Sequence, residues 1–266
     1  MRECEHKNFF DDDAIKFEYE RWGYIPEGVA DYNETEEFIR TAVKTNIRKL
    51  NFSCLELGSG VGTWVPFMRK LGCDVFHAID ISEQMLLRNN ADELYQHDLN
   101  YGLPSELTQK YDVVLAIHSL EYINQLENLL LDIKEKMNPN GCIIIVTKNK
   151  YAYIWRMLKF IADYIANECI VQMWRSPKEF IMADMKVEVY GINVRIPTVI
   201  NNVNNSFRLA SHPSKLRMFI NDHINRYMRK TIFNPFAWHM GLVISTNWHE
   251  ALNCRVGTKE INNTSS

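Results

Sequence analysis

The sequence lacks the features that stabilise or direct secreted proteins. Its six cysteines include no Cys-x-x-Cys pair. Three of them lie inside or beside predicted strands, so we expect small buried apolar residues and not disulfides or metal ligands. The first thirteen residues are charged and short of leucine, which predicts that no signal peptide is present. We therefore expect a cytoplasmic protein.

An excess of basic residues is also missing. The 30 Lys and Arg residues stand against 33 Asp and Glu, for a net charge of −3, which argues against general affinity for nucleic acid. The chain has 266 residues, of which 46% are hydrophobic. That length suits one domain with an insertion better than two domains, and the composition is enough for a sizeable core.

A glycine turn between an apolar strand and a helix organises the chain. The run Cys54–Leu57 is typical of a central parallel strand, and Gly58, Gly60 and Gly62 follow it. The next apolar positions share one face of a helix and are Val61, Trp64, Val65, Met68 and Leu71. A strand that feeds a helix through glycines brings backbone N–H groups to one place, so we expect a carboxylate or phosphate to bind there.

The turn is not of the dinucleotide-binding type, because G-x-G-x-x-G would need a third glycine where Thr63 stands. It matches E-x-G-x-G-x-G instead, from Glu56 to Gly62. The later motifs are Ala78–Ser82, Gln96–Leu99, Tyr111–His118 and Met137–Val146. In these motifs, their order and their spacing, the sequence resembles the class I S-adenosylmethionine-dependent methyltransferases over roughly residues 34 to 150.

The predicted fold is α/β. Strands and helices alternate from Ser53 to Val146, which implies parallel strands joined by right-handed crossovers. The resemblance implies a Rossmann-like sheet of seven strands, mostly parallel, with helices on both faces. Residues Val187–Val194 alternate as a strand. His239–Ser245 would be the last strand, which in the family runs antiparallel beside the fifth.

We expect a single domain over residues 1–254 and a disordered tail over 255–266. Residues 1–50 would form an N-terminal cap. It would begin with a helix from Asp11 to Arg21 and an aromatic loop over Trp22–Gly28. A second helix would follow, capped by the pair Asn33 and Glu36 and ending near Lys49. The cofactor-binding core would span 51–150.

A lid and a helical insertion would span 151–235, before the last strand at 236–254. The apolar helix predicted over Tyr151–Met173 has three interpretations, which are a lid over the substrate, an oligomer contact and an attachment to lipid. A second helix is predicted over about Pro213–Lys230. We expect no membrane-spanning segment, and a monomer or homodimer.

The resemblance implies S-adenosylmethionine as the cofactor, with its ribose bound by Asp80. A carboxylate suits a diol because its two oxygens can accept both hydroxyl hydrogens. Alternatively Asp80 is an acid at a helix start, since Ser82 and Glu83 begin the next helix. Glu56 is acidic inside an apolar run, and a buried acid needs a partner. We expect it to orient the methionine half through the ammonium group or the turn.

Further residues are assigned to the cofactor by the same resemblance. Ile81 and Met85 would flank the adenine, although Met85 also falls where helix core is expected. Asp98 would accept from the adenine amino group and Leu99 would offer a backbone N–H. Tyr24 would line the site from the cap or would pin that segment to the core. The other assigned residues are Gly58, Ser59, Gly60 and Ile117.

The fourth strand ends at Ile117 and His118, where the methyl group is expected to lie. A methyltransferase must hold its nucleophile in line with the carbon–sulfur bond. A hydroxyl nucleophile also needs a base, and His118 is the candidate because its ordinary pKa lies near working pH. Alternatively the histidine only shapes the pocket. No Asp, Glu and His cluster with ligand spacing occurs nearby in the sequence, so we predict transfer without a metal.

The acceptor is the least constrained part of the interpretation. Between residues 206 and 231, eight Arg, Lys and His residues stand against one acid, Asp222. They form either a solvated face or a basic wall for an anionic substrate. The residues assigned to the acceptor are Tyr122, Tyr151, Tyr153, Lys215 and Arg217.

The predicted function is methyl transfer to an oxygen or nitrogen of a small metabolite that carries an anionic group. A methyltransferase acting on tRNA or protein is the enzymatic alternative, although no basic surface across the domain or added recognition module is visible in the sequence. A non-catalytic homologue that binds the cofactor is the third interpretation, because a fold does not imply activity.

Overall fold

The computed structural model describes residues 26–152, 173–194, 199–201, 207–209 and 237–246. Four predicted elements therefore lie outside the described residues, in whole or in large part. They are the first helix at 11–21, most of the aromatic loop, the long apolar helix after Tyr151 and the helix at 213–230.

A seven-stranded sheet forms the centre of the domain, and a separate pair of short strands lies apart from it. The strands are β1 (Phe52–Leu57), β2 (Cys73–Asp80), β3 (Glu93–Gln96), β4 (Tyr111–Ile117), β5 (Met137–Lys148), β6 (Lys186–Val194), β7 (Val199–Asn201), β8 (Phe207–Leu209) and β9 (Ala237–Ser245). In the large sheet the order is β3-β2-β1-β4-β5-β9-β6. The first five strands pair in parallel, while β9 runs antiparallel to both β5 and β6. The predicted fold, with its antiparallel strand beside the fifth, is confirmed.

The helices are α1 (Pro26–Asn46), α2 (Val65–Lys70), α3 (Glu83–Leu86) and α4 (Leu126–Glu135). Short 3-10 turns occur at Leu99–Tyr101, Leu120–Tyr122 and Pro177–Phe180. The predicted bounds of α1 are wrong. The chain is already helical at Pro26, the first described residue of this segment, so Asn33 lies inside the helix instead of capping it, and the end of the aromatic loop is helical.

The second helix also starts later than predicted. The chain makes turns up to Trp64, and α2 begins only at Val65. Gly62 has a φ of 79°, a left-handed conformation that a right-handed helix cannot include. In the insertion, β7 and β8 pair antiparallel, while the helix predicted over 213–230 lies outside the described residues.

Apolar side chains fill both faces of the sheet. On one face α4 packs Leu126, Leu129 and Ile133 against the sheet, and on the other α1 and α2 contribute Ile39, Val43 and Met68. The central strands β1 and β4 are buried on both sides, as parallel strands in α/β proteins are, while the edge strand β3 is largely exposed. Cys54, Cys73 and Cys142 are buried free thiols, as predicted. The carboxyl ends of β1, β2, β4 and β5 lie along one edge, and ligands of such sheets bind there.

Candidate active site

The glycine turn after β1 is tied to the neighbouring strand. The backbone N–H groups of Gly58 and Ser59 both donate to the carbonyl of Ile79, with N···O distances of 2.8 and 3.0 Å. Gly58 and Gly60 have φ values of 66° and 54°, which L-residues with side chains adopt only at a cost. The turn is therefore a preformed backbone structure at the carboxyl edge of the sheet.

Asn89 holds the turn from its other side. Its side-chain amide donates to Ser59 Oγ and to the carbonyl of Gly60, each over 3.0 Å, and its oxygen accepts from the N–H of Ala91 over 3.0 Å. The sequence interpretation missed this residue, because Asn89 follows α3 and belongs to none of the motifs. A buried asparagine satisfied in this way fixes the turn without occupying the space above it.

Asp80 links the turn to the start of α3. One carboxylate oxygen accepts from the N–H of Gly60 over 2.7 Å, and the other accepts from the N–H of Ser82 over 2.9 Å. Ser82 in turn caps α3, since its side chain accepts from the N–H of Met85. Each carboxylate oxygen can accept more than one hydrogen bond, so the contacts with the protein are compatible with ribose binding. That role of Asp80 stays a prediction.

The residues assigned to adenine surround the ends of β2 and β3. Met85 is buried, and its sulfur would lie 3.5 Å from a Cβ placed on Gly60. Asp98 accepts from the backbone N–H and the side-chain amide of Asn100 through one oxygen, each over 2.9 Å. Leu99 is buried and Ile81 is half-buried. The structure brings these side chains to the same edge as the glycine turn.

Glu56 is the most unusual side chain beside the turn. It is 1% exposed, and its Oε2 has no hydrogen-bond partner among the described residues. Burial, and to a smaller extent the negative charge of Asp80, raises the pKa of this carboxyl well above its ordinary value. A cation brought next to Glu56 would offset the desolvation of its charged form. The side chain therefore fits the ammonium group of a methionine moiety.

The loop after β4 contacts the glycine turn. A Cβ placed on Gly58 would lie 2.3 Å from the Cβ of Ser119. The hydroxyl oxygen of Ser119 is buried and, within the described residues, also has no hydrogen-bond partner. Only a glycine at position 58 allows this approach. The contact places the residue after His118 directly against the predicted cofactor turn.

His118 is buried at the end of β4 in a left-handed conformation, with a φ of 56°. Its backbone N–H donates to the carbonyl of Val146 at a distance of 2.7 Å. The Nδ1 atom of its ring lies 3.4 Å from Glu121 Oε1. The ring of His239 on β9 meets it edge to face, with centroids 4.2 Å apart. Backbone strain of this kind is common at functional sites. Strands β4, β5 and β9 thus converge on one imidazole.

Arg175 supports the loop that carries these residues. Its Nε and Nη2 donate to the carbonyl of Leu120 over 3.1 and 3.0 Å, and Nη2 also bonds the carbonyl of Ile123. Its Nη1 donates to Glu179 Oε2 over 3.1 Å. Sequence patterns gave no sign of this arginine, because the two carbonyls that it binds in the loop lie more than fifty positions away. Arg175 therefore holds the loop after β4 against the segment that contains Glu179.

Aromatic side chains extend the site beyond β5. Lys148 Nζ lies 5.6 Å from the ring centroid of Trp174 and 5.4 Å from that of Trp238. The two indole rings meet edge to face, and Trp238 also contacts His239 in this way. The sequence interpretation missed this group as well. Together, the rings of Trp174, Trp238 and His239 form a continuous aromatic surface that reaches His118.

The residues predicted to bind the acceptor are only partly placed. Tyr122 and Tyr151 are half-buried at the carboxyl edge, just after β4 and β5. Tyr24, Tyr153, Lys215 and Arg217 lie outside the described residues. Within the described ranges, no group of three His, Cys, Asp or Glu side chains is arranged to hold a metal ion. No helix in those ranges is long and apolar enough to cross a membrane.

Comparisons with known proteins identify the family of the chain. Residues 30–181, more than half of the chain, match the family model described as a methyltransferase domain. The chain is 25% identical over 173 residues to a ubiquinone biosynthesis O-methyltransferase of Proteus mirabilis, a match that covers 59% of this chain and 68% of the relative.

Solved structures share the architecture. Magnesium protoporphyrin IX methyltransferase of Synechocystis with bound S-adenosylhomocysteine has a TM-score of 0.54 at 11% identity, over 91% of this chain and 98% of the other. A possible histamine N-methyltransferase of Thermotoga maritima has a TM-score of 0.53 at 12% identity, over 91% and 99%. These likenesses show the fold alone. Taken with the family match, they show that the chain belongs to the methyltransferase domain family and is an S-adenosylmethionine-dependent methyltransferase.

Proposed function

We propose that the enzyme methylates an oxygen or nitrogen of a small anionic metabolite, without a metal ion and with His118 as general base. The contact between Gly58 and Ser119 is the observation that carries the proposal. It joins the turn predicted to hold the methionine end of the cofactor to the loop that holds the imidazole. A base close to the reacting end of the cofactor is what methylation of a hydroxyl requires.

The cofactor would be held by the edge residues described above. Glu56 would bind the ammonium group, Asp80 the ribose hydroxyls and Asp98 the adenine amino group. Glu56 Oε2 and Ser119 Oγ, beside the glycine turn, are among the buried polar atoms that lack hydrogen-bond partners within the described residues. They support the proposal because buried polar groups are normally satisfied. The remaining proposed contacts are Gly58, Ser59, Gly60, Ile81, Met85, Leu99, Ile117 and Tyr24.

The protein's contribution to the chemistry is positioning and proton removal. The cofactor supplies a methyl group bound to a positively charged sulfur, and the sulfur keeps the electron pair of the carbon–sulfur bond when the methyl group is transferred. On a hydroxyl acceptor, the oxygen lone pair forms the new bond to carbon and His118 takes the hydroxyl proton. The buried surroundings of His118 exclude water from this proton transfer.

A small acceptor suits the enclosed imidazole. Glu121 and His239 lie against the buried ring of His118, which favours an acceptor group small enough to reach it. Tyr122 and Tyr151 would pack on the body of the acceptor. The anionic group is proposed from the basic sequence at 206–231, with Lys215 and Arg217 as its partners.

We expect methyl transfer from labelled S-adenosylmethionine when the purified enzyme is given metabolite fractions sorted by charge. Turnover should occur with the anionic fraction and persist in the presence of a chelator, because we propose no metal. Activity that is lost with the chelator and restored by Mg²⁺ would contradict this. If the acceptor is neutral, or if its turnover survives both Lys215→Ala and Arg217→Ala, the proposal that the acceptor is anionic is rejected. The rest of the proposed function would stand.

Replacing His118 by asparagine tests the base. Asparagine tolerates the left-handed backbone better than most residues, so the variant should fold and bind S-adenosylhomocysteine within a few-fold of the wild type. We expect kcat to fall by about 100-fold or more, the usual size of general acid–base catalysis. If only the KM for the acceptor changes, His118 shapes the pocket and is not the base.

A further inference from the structure

We infer that the acceptor is a planar aromatic compound that packs on the indole rings of Trp174 and Trp238. The inference rests on the proposed function, because that function places the acceptor beside His118. The two indoles meet edge to face with their ring centroids 5.7 Å apart. Trp238 contacts the ring of His239 at 5.9 Å, and His239 contacts His118 at 4.2 Å. The aromatic surface therefore leads directly to the imidazole.

The two indoles are not used to fill the core. Among the described residues, neither belongs to the two apolar clusters that pack on the faces of the sheet. Trp174 and Trp238 are both half-buried, so part of each residue stays exposed. Tryptophan carries a large apolar area, which proteins normally use in a core or in an interface. Two indoles outside the core and next to the site are therefore suited to contact a bound molecule.

Backbone hydrogen bonds fix both indoles to the end of β5. The residue after Trp174, Arg175, donates its backbone N–H to the carbonyl of Lys148 at a distance of 3.0 Å. The carbonyl of Trp238 accepts from the backbone N–H of Asn149 at a distance of 3.2 Å. A surface that is already ordered loses little conformational freedom when a ligand binds. The indoles therefore offer a preformed contact to a flat ring.

A positive charge adjoins the indoles. Lys148 Nζ lies 5.6 Å from the ring centroid of Trp174 and 5.4 Å from that of Trp238, within the range of a cation–π contact. Lys148 is 8% exposed, so water shields its charge poorly and the charge acts more strongly on neighbouring groups. An aromatic ring with an anionic substituent suits both the indoles and this charge.

The test is acceptor binding without turnover. Enzyme saturated with S-adenosylhomocysteine is titrated by calorimetry with benzoate, salicylate and naphthoate, each compared with the carboxylate of the corresponding fully saturated ring. The charge is the same within each pair, so a difference in affinity reports the aromatic ring. We expect the aromatic member to bind about threefold to tenfold more tightly, the size of a favourable aromatic pair beyond its buried area. Equal affinities, or binding by neither member of any pair, would overturn the inference.

Variants of Trp174 assign the preference to this surface. Trp174→Phe keeps an aromatic ring and should retain most of the preference, whereas Trp174→Leu should abolish it. Should Trp174→Leu fail to fold, Trp238→Leu makes the same test from β9.

Tyr95→Leu is the matched control. Tyr95 is a half-buried aromatic residue that contacts His77 on β2, and its strand, β3, lies at the end of the sheet remote from β9. This variant should keep the wild-type preference. A preference that survives Trp174→Leu, or that Tyr95→Leu reduces equally, would reject the assignment.

The outcomes separate this inference from the proposed function. If the aromatic preference is absent while the enzyme methylates an anionic metabolite and His118→Asn abolishes that activity, the proposed function stands and the acceptor is not aromatic. If His118→Asn keeps wild-type kcat, the base assignment fails, and the binding comparison between wild type and Trp174→Leu still decides the inference.

Discussion

Replacement of Gly58 by alanine is expected to destabilise the protein more than the same change at Gly60. Both glycines have positive φ, so alanine adds strain of about 1–2 kcal/mol at either position. At Gly58 the new methyl would also lie 2.3 Å from Ser119 Cβ, which adds an overpacking cost of about 1–3 kcal/mol. At Gly60 the nearest atom is Met85 Sδ at 3.5 Å, an ordinary contact. Denaturant unfolding of the two variants without cofactor measures the difference.

A second substitution separates strain from overpacking. Ser119→Gly removes the Cβ that the alanine methyl would meet, so the double variant Gly58→Ala with Ser119→Gly should recover the overpacking part and retain the strain. The single Ser119→Gly variant completes the double-mutant cycle. Equal destabilisation by Gly58→Ala and Gly60→Ala, with no coupling to Ser119, would show that the turn and the loop after β4 are not in contact.

Glu56→Gln is expected to weaken cofactor binding and at the same time stabilise the free protein. The glutamine cannot carry the negative charge proposed to meet the ammonium group. Hydrogen bonds to charged groups contribute about 1.5–3 kcal/mol, so calorimetry should show S-adenosylmethionine affinity lower by roughly tenfold to 150-fold. Glu135→Gln, the same change at an exposed glutamate on α4, is the control and should leave affinity unchanged.

The gain in stability should depend on pH. Burial raises the pKa of Glu56 in the folded protein above its ordinary value of 4.5. The stability contributed by the bound proton is therefore fully present below about pH 4.5 and is lost as pH rises from there through the folded pKa. The free energies of unfolding of Glu56→Gln and wild type should converge in acid and separate toward neutral pH, with the variant higher. Parallel curves would mean that Glu56 is not the buried acid described here.

Local patterns predict single strands, helices and turns because they report on single elements, whereas the sheet of seven strands follows from the family resemblance. Apolar runs such as Cys54–Leu57 predicted strands, and the glycine motif after it predicted a turn at a strand end. Family resemblance supplied the antiparallel partner of the fifth strand, which β9 confirms. The predicted start of α1 at Asn33 is wrong because the helix already includes Pro26, and a local capping pattern does not report how far a helix extends toward its N-terminus.

Residues that act together across the site were out of reach of such patterns. Asn89 and Arg175 belong to no motif, and each derives its role from hydrogen bonds to a distant turn or loop. Position after β4 predicts His118 as a base, but nothing in the sequence indicates that Glu121 and His239 lie against its ring or that Thr147 binds Glu121. Those side chains meet because β5 lies beside β4 and β9 lies beside β5 in the order of the sheet.

The chain's periodicities and its spaced glycines and acids therefore determine the fold, the family and the edge of the sheet where we propose that the cofactor binds. Those properties depend on neighbouring residues and on the order of strands and helices. Packing in the tertiary structure decided three other features. They are the left-handed backbone of His118, the approach of Ser119 to Gly58, and the lack of a hydrogen-bond partner for Glu56 Oε2 among the described residues. Burial and contact between residues far apart in the chain depend on how closely the elements approach one another, which no single segment encodes.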